Sequence, residues 1–446
     1  MRSSFGLIGK TAMALALSAG MLTVGATSAV AKEKAPKEQK GSYSKEFVAA
    51  ATPIQKTVGA LDAAKKSGAT PEAQKALLGN ATAELAAAEA AIQTPLDRMA
   101  AGGWAVSIGG VLNDTKMRQR GVKNMLDSGQ VPAANLTEYQ FYLGNFAYAN
   151  KDYATVVSAL TPVVQANFKD DTAAELLADG YSQQGQHAQA LEALKAAVAA
   201  RKAAGGAVPN SWYKRANVIA YTNKLGPQAI EWSTLMVENE PSALNWLGAG
   251  QLVREFGSFT NQESLDLGRL LLRTGGLNNE KKFVEREYVE YIEAADPRRL
   301  PGEVLKVANM GVAAGVLSAS DQFVADAISQ AKGRIGPDKA SLPALDREAR
   351  AGKDGKSALA MADAYLSYDD AAKAEEMYAM AIAKGGIDKD RAVMRMGIAQ
   401  IDQKKFAEAK ASFGQVTNAT RAPLARLWSA YASTQLQPNA AAPEQS

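Results

Sequence analysis

The chain has no cysteine and a single histidine, His187, in 446 residues. Disulfides, thiol nucleophiles and zinc sites of the Cys/His type are excluded at once. A chain without disulfides has to hold together by packing alone. Neither charge sign dominates, because 50 Lys and Arg face 46 Asp and Glu. There is no basic excess of the kind phosphate backbones require, so no nucleic-acid partner is expected. Long apolar runs are missing too. Residues 11–24 (TAMALALSAGMLTV) and 304–317 (VLKVANMGVAAGVL) both fall short of the roughly 20 residues a spanning helix needs, and the second contains Lys306. Runs rich in Val, Ile and Thr, or alternating apolar and polar, are nearly absent, which argues against strands. No calcium loop, Gly-rich phosphate loop or hydrolase serine motif is present. Alanine is what the chain has in excess, at about a fifth of all residues. It is the best helix former and small enough for helices to pack closely.

Residues 1–31 read as a secretory signal peptide. Arg2 and Lys10 make a basic start, the apolar stretch 11–24 follows, and Ala29-Val30-Ala31 offers a small-x-small exit. Cleavage after Ala31 is expected, with no integral membrane segment left afterwards. Removing Arg2 and Lys10 halves the formal charge from +4 to +2. No cysteine follows the apolar run, so a lipid anchor is excluded. The small-residue exit favours a bacterial envelope, most simply the periplasm. Residues 32–44 are charged, with Pro36 and Gly41, and read as a flexible linker. The tail 437–446 (QPNAAAPEQS) reads as disordered.

Between them lie apolar-periodic stretches of about 12–15 residues separated by Gly, Pro, Asn or Asp, an all-α pattern. It repeats. Leu143, Gly144, Val156, Leu160 and Val163 match Leu177, Ala178, Ala190, Leu194 and Ala197 at an offset of 34, as Tyr153 matches His187. Met361, Ala362, Ala374, Tyr378 and Ala381 match Met396, Gly397, Ala409, Phe413 and Val416 at 35. This period and pattern resemble the tetratricopeptide repeat, a helix–turn–helix of 34 residues. The family's opening appears as Leu143-Gly144 and as Leu177-Ala178 with Tyr181, its second helix as Ala374, Tyr378 and Ala381, and its closing proline as Pro241. The resemblance implies an α-solenoid whose first helices line a concave groove. The physics agrees: Gly144 or Ala178 sits where the second helix crosses, and a larger side chain there would push the axes beyond 8–10 Å. The expected organisation is a helical cap over 45–101, an array over 102–243, a degenerate helical segment or joint over 244–354, a further pair of repeats over 355–423 and a capping helix over 424–436. Pro297, Pro301, Pro337 and Pro343 are expected to break the middle segment into irregular helices, as Pro53, Pro71 and Pro95 punctuate the N-terminal ones.

His187 stands where other units have an aromatic plug between helices, so a structural role is expected. Asp170-Asp171 and Asp369-Asp370 read as helix caps, with no metal or cofactor implied. Glu285, Glu287, Glu290 and Glu293 form an acidic run beside Tyr288 and Tyr291, read as a solvated helix face next to Lys282 and Arg286. The candidate partner-binding groove comprises Phe141, Tyr142, Asn145 and Tyr148 on one first helix and Lys214, Arg215 and Tyr221 two units on. Phe141, Asn145 and Tyr148 share a stripe, and Leu143, Gly144 and Ala147 already supply the packing side. An aromatic floor with a basic edge suits a protein or peptide. Some relatives in the family grip a terminal carboxylate with a Lys and two Asn; here Phe141 and Asp179 replace two of the three, so that clamp is not expected. The expectation is a periplasmic, non-enzymatic scaffold in envelope assembly, by fold-level analogy. The alternative is a glycan-binding or glycan-active protein using Glu287, Glu290, Tyr288 and Tyr291. Oligomeric state is left open, since repeat stacks with incomplete caps associate end to end.

Overall fold

A computed structural model describes residues 42–436, so the expected signal peptide, linker residues 32–41 and tail 437–446 lie outside the described residues. Every regular element among the described residues is helical. The chain divides into two compact units at Gly185 and Gln186.

The first unit contains α1 (Lys45–Lys66), α2 (Pro71–Ala76), α3 (Ala81–Ala90), α4 (Pro95–Leu112), α5 (Thr115–Asp127), α6 (Leu136–Ala149), α7 (Tyr153–Gln165) and α8 (Thr172–Gln183). Helices α1 and α3 bury Phe47, Ile54, Leu61 and Leu85 against Ile108 of α4. One carboxylate pins this start of the chain. Asp97 accepts from the backbone N–H groups of Gln93, Thr94 and Ser44 at 2.9–3.1 Å and from Ser44 Oγ at 2.8 Å. Burial alone would raise its pKa, but those donors hold it below the ordinary carboxylate value. From α4 onward the helices form antiparallel hairpins. Helices α4 and α5 cross at Gly102 and Gly121, where a Cβ on either would come within 2.6 Å of the other's carbonyl oxygen. Gly144 meets the Leu160 side chain of α7 in the same way, as its place in the repeat requires.

The second unit contains α9 (His187–Ala203), α10 (Asn210–Thr222), α11 (Gly226–Asn239), α12 (Ala243–Phe256), α13 (Asn261–Arg273), α14 (Lys281–Ala295), α15 (Pro301–Ala313), α16 (Gln322–Ala351), α17 (Lys356–Ser367), α18 (Ala371–Lys384), α19 (Lys389–Asp402), α20 (Phe406–Phe413) and α21 (Ala422–Leu436). The same turn recurs in both units. Asn113, Lys151, Gly185, Lys224, Asp369 and Lys404 all sit at φ between 55° and 75° after a first helix. In five of these turns the next residue's N–H reaches back five positions, for example Asp152 to Ala147 at 2.8 Å and Lys405 to Gln400 at 2.9 Å. That is the Schellman closure of a helix end. Here it is carried by five non-glycine residues despite the steric cost of a left-handed backbone.

The prolines follow the sequence expectation only in part, and Pro297 lies as expected in the turn between α14 and α15. Pro71, Pro95 and Pro301 do open helices, where the missing N–H costs nothing. Pro53, Pro337 and Pro343 lie inside continuous helices. Helix α16 runs for 30 residues through two of them. Its middle is largely exposed, so the carbonyls each proline leaves without a donor face water rather than core.

Helix α21 does more than cover the last hairpin. It contacts α19 and α20, and it also lies against α11, α12 and α13, so this unit curls back on itself. Trp428 of α21 stacks on Phe413 and donates its indole N–H to the Asp266 carbonyl at 3.2 Å, while Tyr431 meets Trp246 edge-on. The closure is fastened by buried charge. Arg395 of α19 is fully buried and reaches Asp266 of α13 and Asp363 of α17, both at 2.8 Å. Arg421 at the head of α21 reaches Glu263 at 2.6 Å and Asp266 at 3.3 Å. Arg269 holds Glu303 by two bonds of 2.7 and 2.8 Å. Tyr378 and Tyr291 donate to Asp363 and Glu303, each at 2.7 Å. Burial alone would raise the Asp363 carboxyl, but Arg395 and Arg391 outweigh it and hold it well below the ordinary range. Glu303 is lowered by the same contest, with Arg269 as the main opposing charge.

Candidate functional site

In the first unit the groove residues divide by exposure. Phe141 is only 7% exposed, because Phe168, from the loop after α7, packs on it at 5.1 Å between ring centroids. It is interior packing rather than an open floor. Tyr142 is half-buried and donates to Glu138 at 2.8 Å; burial first, then that bond, pushes its pKa up to about 12. Asn145 and Tyr148 are half-buried. The Tyr148 hydroxyl donates to Asp179 of α8 at 3.0 Å and its ring meets Tyr153 edge-on. This side of α6 binds its own neighbours. His187, which opens α9 of the second unit, is half-buried.

In the second unit the face is open. On α10, Lys214 and Tyr221 are exposed and Arg215 is half-buried. Val218, which sequence reasoning missed, lies between them at helical spacing. Val218 is 57% and Tyr221 53% exposed, and Tyr221 touches only the edge of Phe256 on α12 among the ring contacts. The corresponding stripe of α12 carries Leu244, 59% exposed, then Gly248, with nothing within 4 Å of an added Cβ. Gln251, one turn further, donates to Glu287 of α14 at 3.1 Å and to the Phe283 carbonyl at 3.3 Å. Phe283 is 44% exposed, with Lys282 Nζ 4.7 Å from its ring centroid. Neighbouring first helices α10, α12 and α14 thus present four large apolar side chains to solvent. A spacing search for stripes left over after packing would have found Val218 and Leu244.

The acidic run on α14 is not uniformly solvated. Glu287 is buried and paired with Arg254 at 2.5 and 2.8 Å, and Glu290 joins the same guanidinium at 2.7 Å. Tyr288 and Tyr291 are core residues. The charges read as helix surface are needed to neutralise Arg254 from α12. Beside them opens a cavity of about 340 Å³ lined by Arg254, Phe259, Asn261, Ser264, Arg286 and Glu290, among others. Among the described residues no group of three or more His, Asp or Glu is placed to hold a metal, and no helix is long and apolar enough to cross a membrane.

No family model and no curated protein matches this sequence. Solved structures do. The TPR2AB domain of yeast Sti1, in complex with pHSP90, is 15% identical and covers 68% of this chain and 100% of its own, with a TM-score of 0.23. The TPR domain of P58(IPK) is 11% identical, covers 86% and 98%, and has a TM-score of 0.22. A circular tandem repeat protein is 11% identical, covers 87% and 96%, and has a TM-score of 0.13. Superpositions this loose leave the assignment to the hairpins themselves, which are TPR-like in length, turn and small-residue crossing.

Proposed function

We propose that this chain is a non-enzymatic scaffold that holds another protein on the exposed face of its first helices, and that it serves envelope assembly in a bacterial periplasm. The carrying observation is the row of Val218, Tyr221, Leu244 and Phe283, large apolar side chains left in water on three neighbouring first helices. Exposed apolar surface of that kind is costly without a partner. The buried carboxylates and guanidiniums, by contrast, pair with one another and hold the fold. The cellular address rests on residues 1–31 of the sequence alone.

A photo-crosslinking amino acid at Tyr221, Leu244 or Phe283 in producing cells should trap a protein, whereas one at Val48 of α1 should not. Absence of a crosslink at all three positions refutes the scaffold. Export is checked by N-terminal sequencing of the periplasmic protein: a chain beginning at Lys32 is expected, and an intact Met1 form confined to the cytosol refutes it.

A glycan reading survives only at the cavity beside α14, where Phe259 offers an aromatic face and Asn261, Ser264 and Glu290 offer polar partners. Muropeptides or oligosaccharides should then perturb the NMR signal of the Asn261 side chain. No perturbation at millimolar ligand ends that reading.

A further inference from the structure

The exposed face lies beside a stretch of chain whose own charges are all positive, with Glu240, bonded by Asn210 at the head of α10 at 2.6 Å, as an opposing carboxylate. Residues 193–230 contain six Lys and Arg and not one Asp or Glu. Lys202, Lys214 and Lys224 of this stretch are exposed, and none of the three has a carboxylate partner among the described residues. Lys195 spends its charge on Glu231 at 2.7 Å, and Arg201 lies over the Trp212 ring at 5.0 Å. The positive charge therefore concentrates on α10 and its flanking turns. On the far side of the face the sign mixes, with Glu255, Glu280 and Glu285 exposed on and around α12 and α14.

Apolar positions on the face follow helical spacing. Lys214, Val218 and Tyr221 form one stripe of α10; Leu244, Gly248 and Gln251 form one of α12. Each stripe rises about 10 Å over seven residues. The α12 ridge dips at Gly248, where nothing lies within 4 Å of an added Cβ. Ridges and a dip at this spacing fit another helix better than an extended strand.

We infer that the partner segment is an acidic amphipathic helix. Its apolar residues, three and four apart, seat on Val218, Leu244 and Phe283 with one side chain entering the space over Gly248, and its carboxylates face Lys214 and Lys224. The charge asymmetry of the face gives the segment a direction, acidic over α10 and neutral or basic over α14. This inference rests on the scaffold reading and adds the chemistry of the partner. A nucleic acid would satisfy the lysines of α10, but it offers nothing to Val218, Leu244 and Phe283, and the lysines beside Phe283, Lys281 and Lys282, are already paired with Glu285 and Glu280.

The test is selection of a displayed library of random 16-residue peptides on the full chain from Lys32, followed by affinity measurement of the enriched peptides. Enriched sequences should be net acidic, with apolar residues at three- and four-residue spacing. Lys214→Glu combined with Lys224→Glu should weaken the best peptide at least ten-fold and shift selection towards basic sequences. Val218→Asp should weaken it similarly, and Leu77→Asp on the first unit should not. Circular dichroism of each variant confirms that it folds; all four positions are exposed. Enrichment of neutral or basic peptides, indifference to the lysine reversal, or no enrichment overturns the inference. So does a single-stranded oligonucleotide that competes as well as the best peptide. Crosslinks at Tyr221 to a segment that is not acidic would overturn this inference while leaving the scaffold standing; no crosslinks at any face position would remove both.

Discussion

Replacing Arg395 by Met removes one guanidinium from the fastening of the second unit and leaves its side-chain volume nearly filled. Arg395 is fully buried and bonds Asp266, Asp363 and Gln262. Its loss strands charge where water cannot reach. Breaking a buried pair in this way costs about 3–5 kcal/mol. Here each carboxylate keeps a second cation, Arg421 at 3.3 Å for Asp266 and Arg391 at 2.7 Å for Asp363. The expected loss is therefore at the lower end, about 3 kcal/mol.

Tryptophan fluorescence reads this unit well, since Trp212, Trp232, Trp246 and Trp428 lie in it and only Trp104 lies outside. With a urea slope of about 2–3 kcal/mol per molar, the midpoint should fall by about 1–1.5 M. Arg395→Met combined with Asp363→Asn should cost less than the two single changes added, because the second removes the charge the first strands. A shift of Arg395→Met below about 0.2 M would show that the network relaxes or admits water, and the reasoning fails.

The same fastening sets an acid limit. Asp363 and Glu303 have folded pKa values below their unfolded ones, so the stability they contribute is full above the unfolded values of about 4 and is lost as pH falls through the folded ones. Urea midpoints should be insensitive to these groups from pH 7 to 5 and drop steeply below about 4; a drop already complete by pH 5 contradicts the assignment. Gly397→Val puts an isopropyl group against Phe413, whose ring lies 2.6 Å from an added Cβ, and should cost about 1–3 kcal/mol by overpacking. Gly59→Ala, in open space on α1, should instead gain about 0.5–1 kcal/mol, and equal melting shifts for the two would refute the packing argument. Asp97→Ala should cost about 2 kcal/mol by orphaning the donors of Ser44, Gln93 and Thr94, with hydrogen exchange accelerated in the first turns of α1 and α4; unchanged exchange there counts against it.

How legible the fold was depends on the distance between interacting residues. Gly144 over Leu160 spans 16 positions within one unit of the repeat, and the 34-residue period exposes it. The turn residues Lys151, Lys224, Asp369 and Lys404 were hidden because a left-handed residue other than glycine leaves no compositional mark. Phe141 was misplaced because its partner Phe168 sits in a loop outside the period. Lys214 and Tyr221 were found by equivalence between units, Val218 only by its exposure. Asp266 and Arg395 lie 129 residues apart, and nothing local distinguishes them from charges on a solvated helix. Periodicity reports neighbours; a ring closure is made of strangers.

That closure and the exposed face share helix α12. Leu244 and Gly248 lie on its open side, while Trp246 points the other way and meets Tyr431 of α21. Glu287, bonded to Gln251, steadies the edge towards α14. The stripe is therefore held from behind by the helix that Arg395, Arg421 and Asp266 fasten. A face held in its bound geometry loses less entropy when a partner seats on it. Loosening the fastening should then weaken partner binding without touching any exposed residue. The acidic peptide that binds best should bind Arg395→Met more weakly than the parent chain at a urea-free pH where both are folded, through faster dissociation at an unchanged association rate. Equal dissociation rates would mean that the face keeps its shape without the buried charges, and that the ring closure serves stability alone.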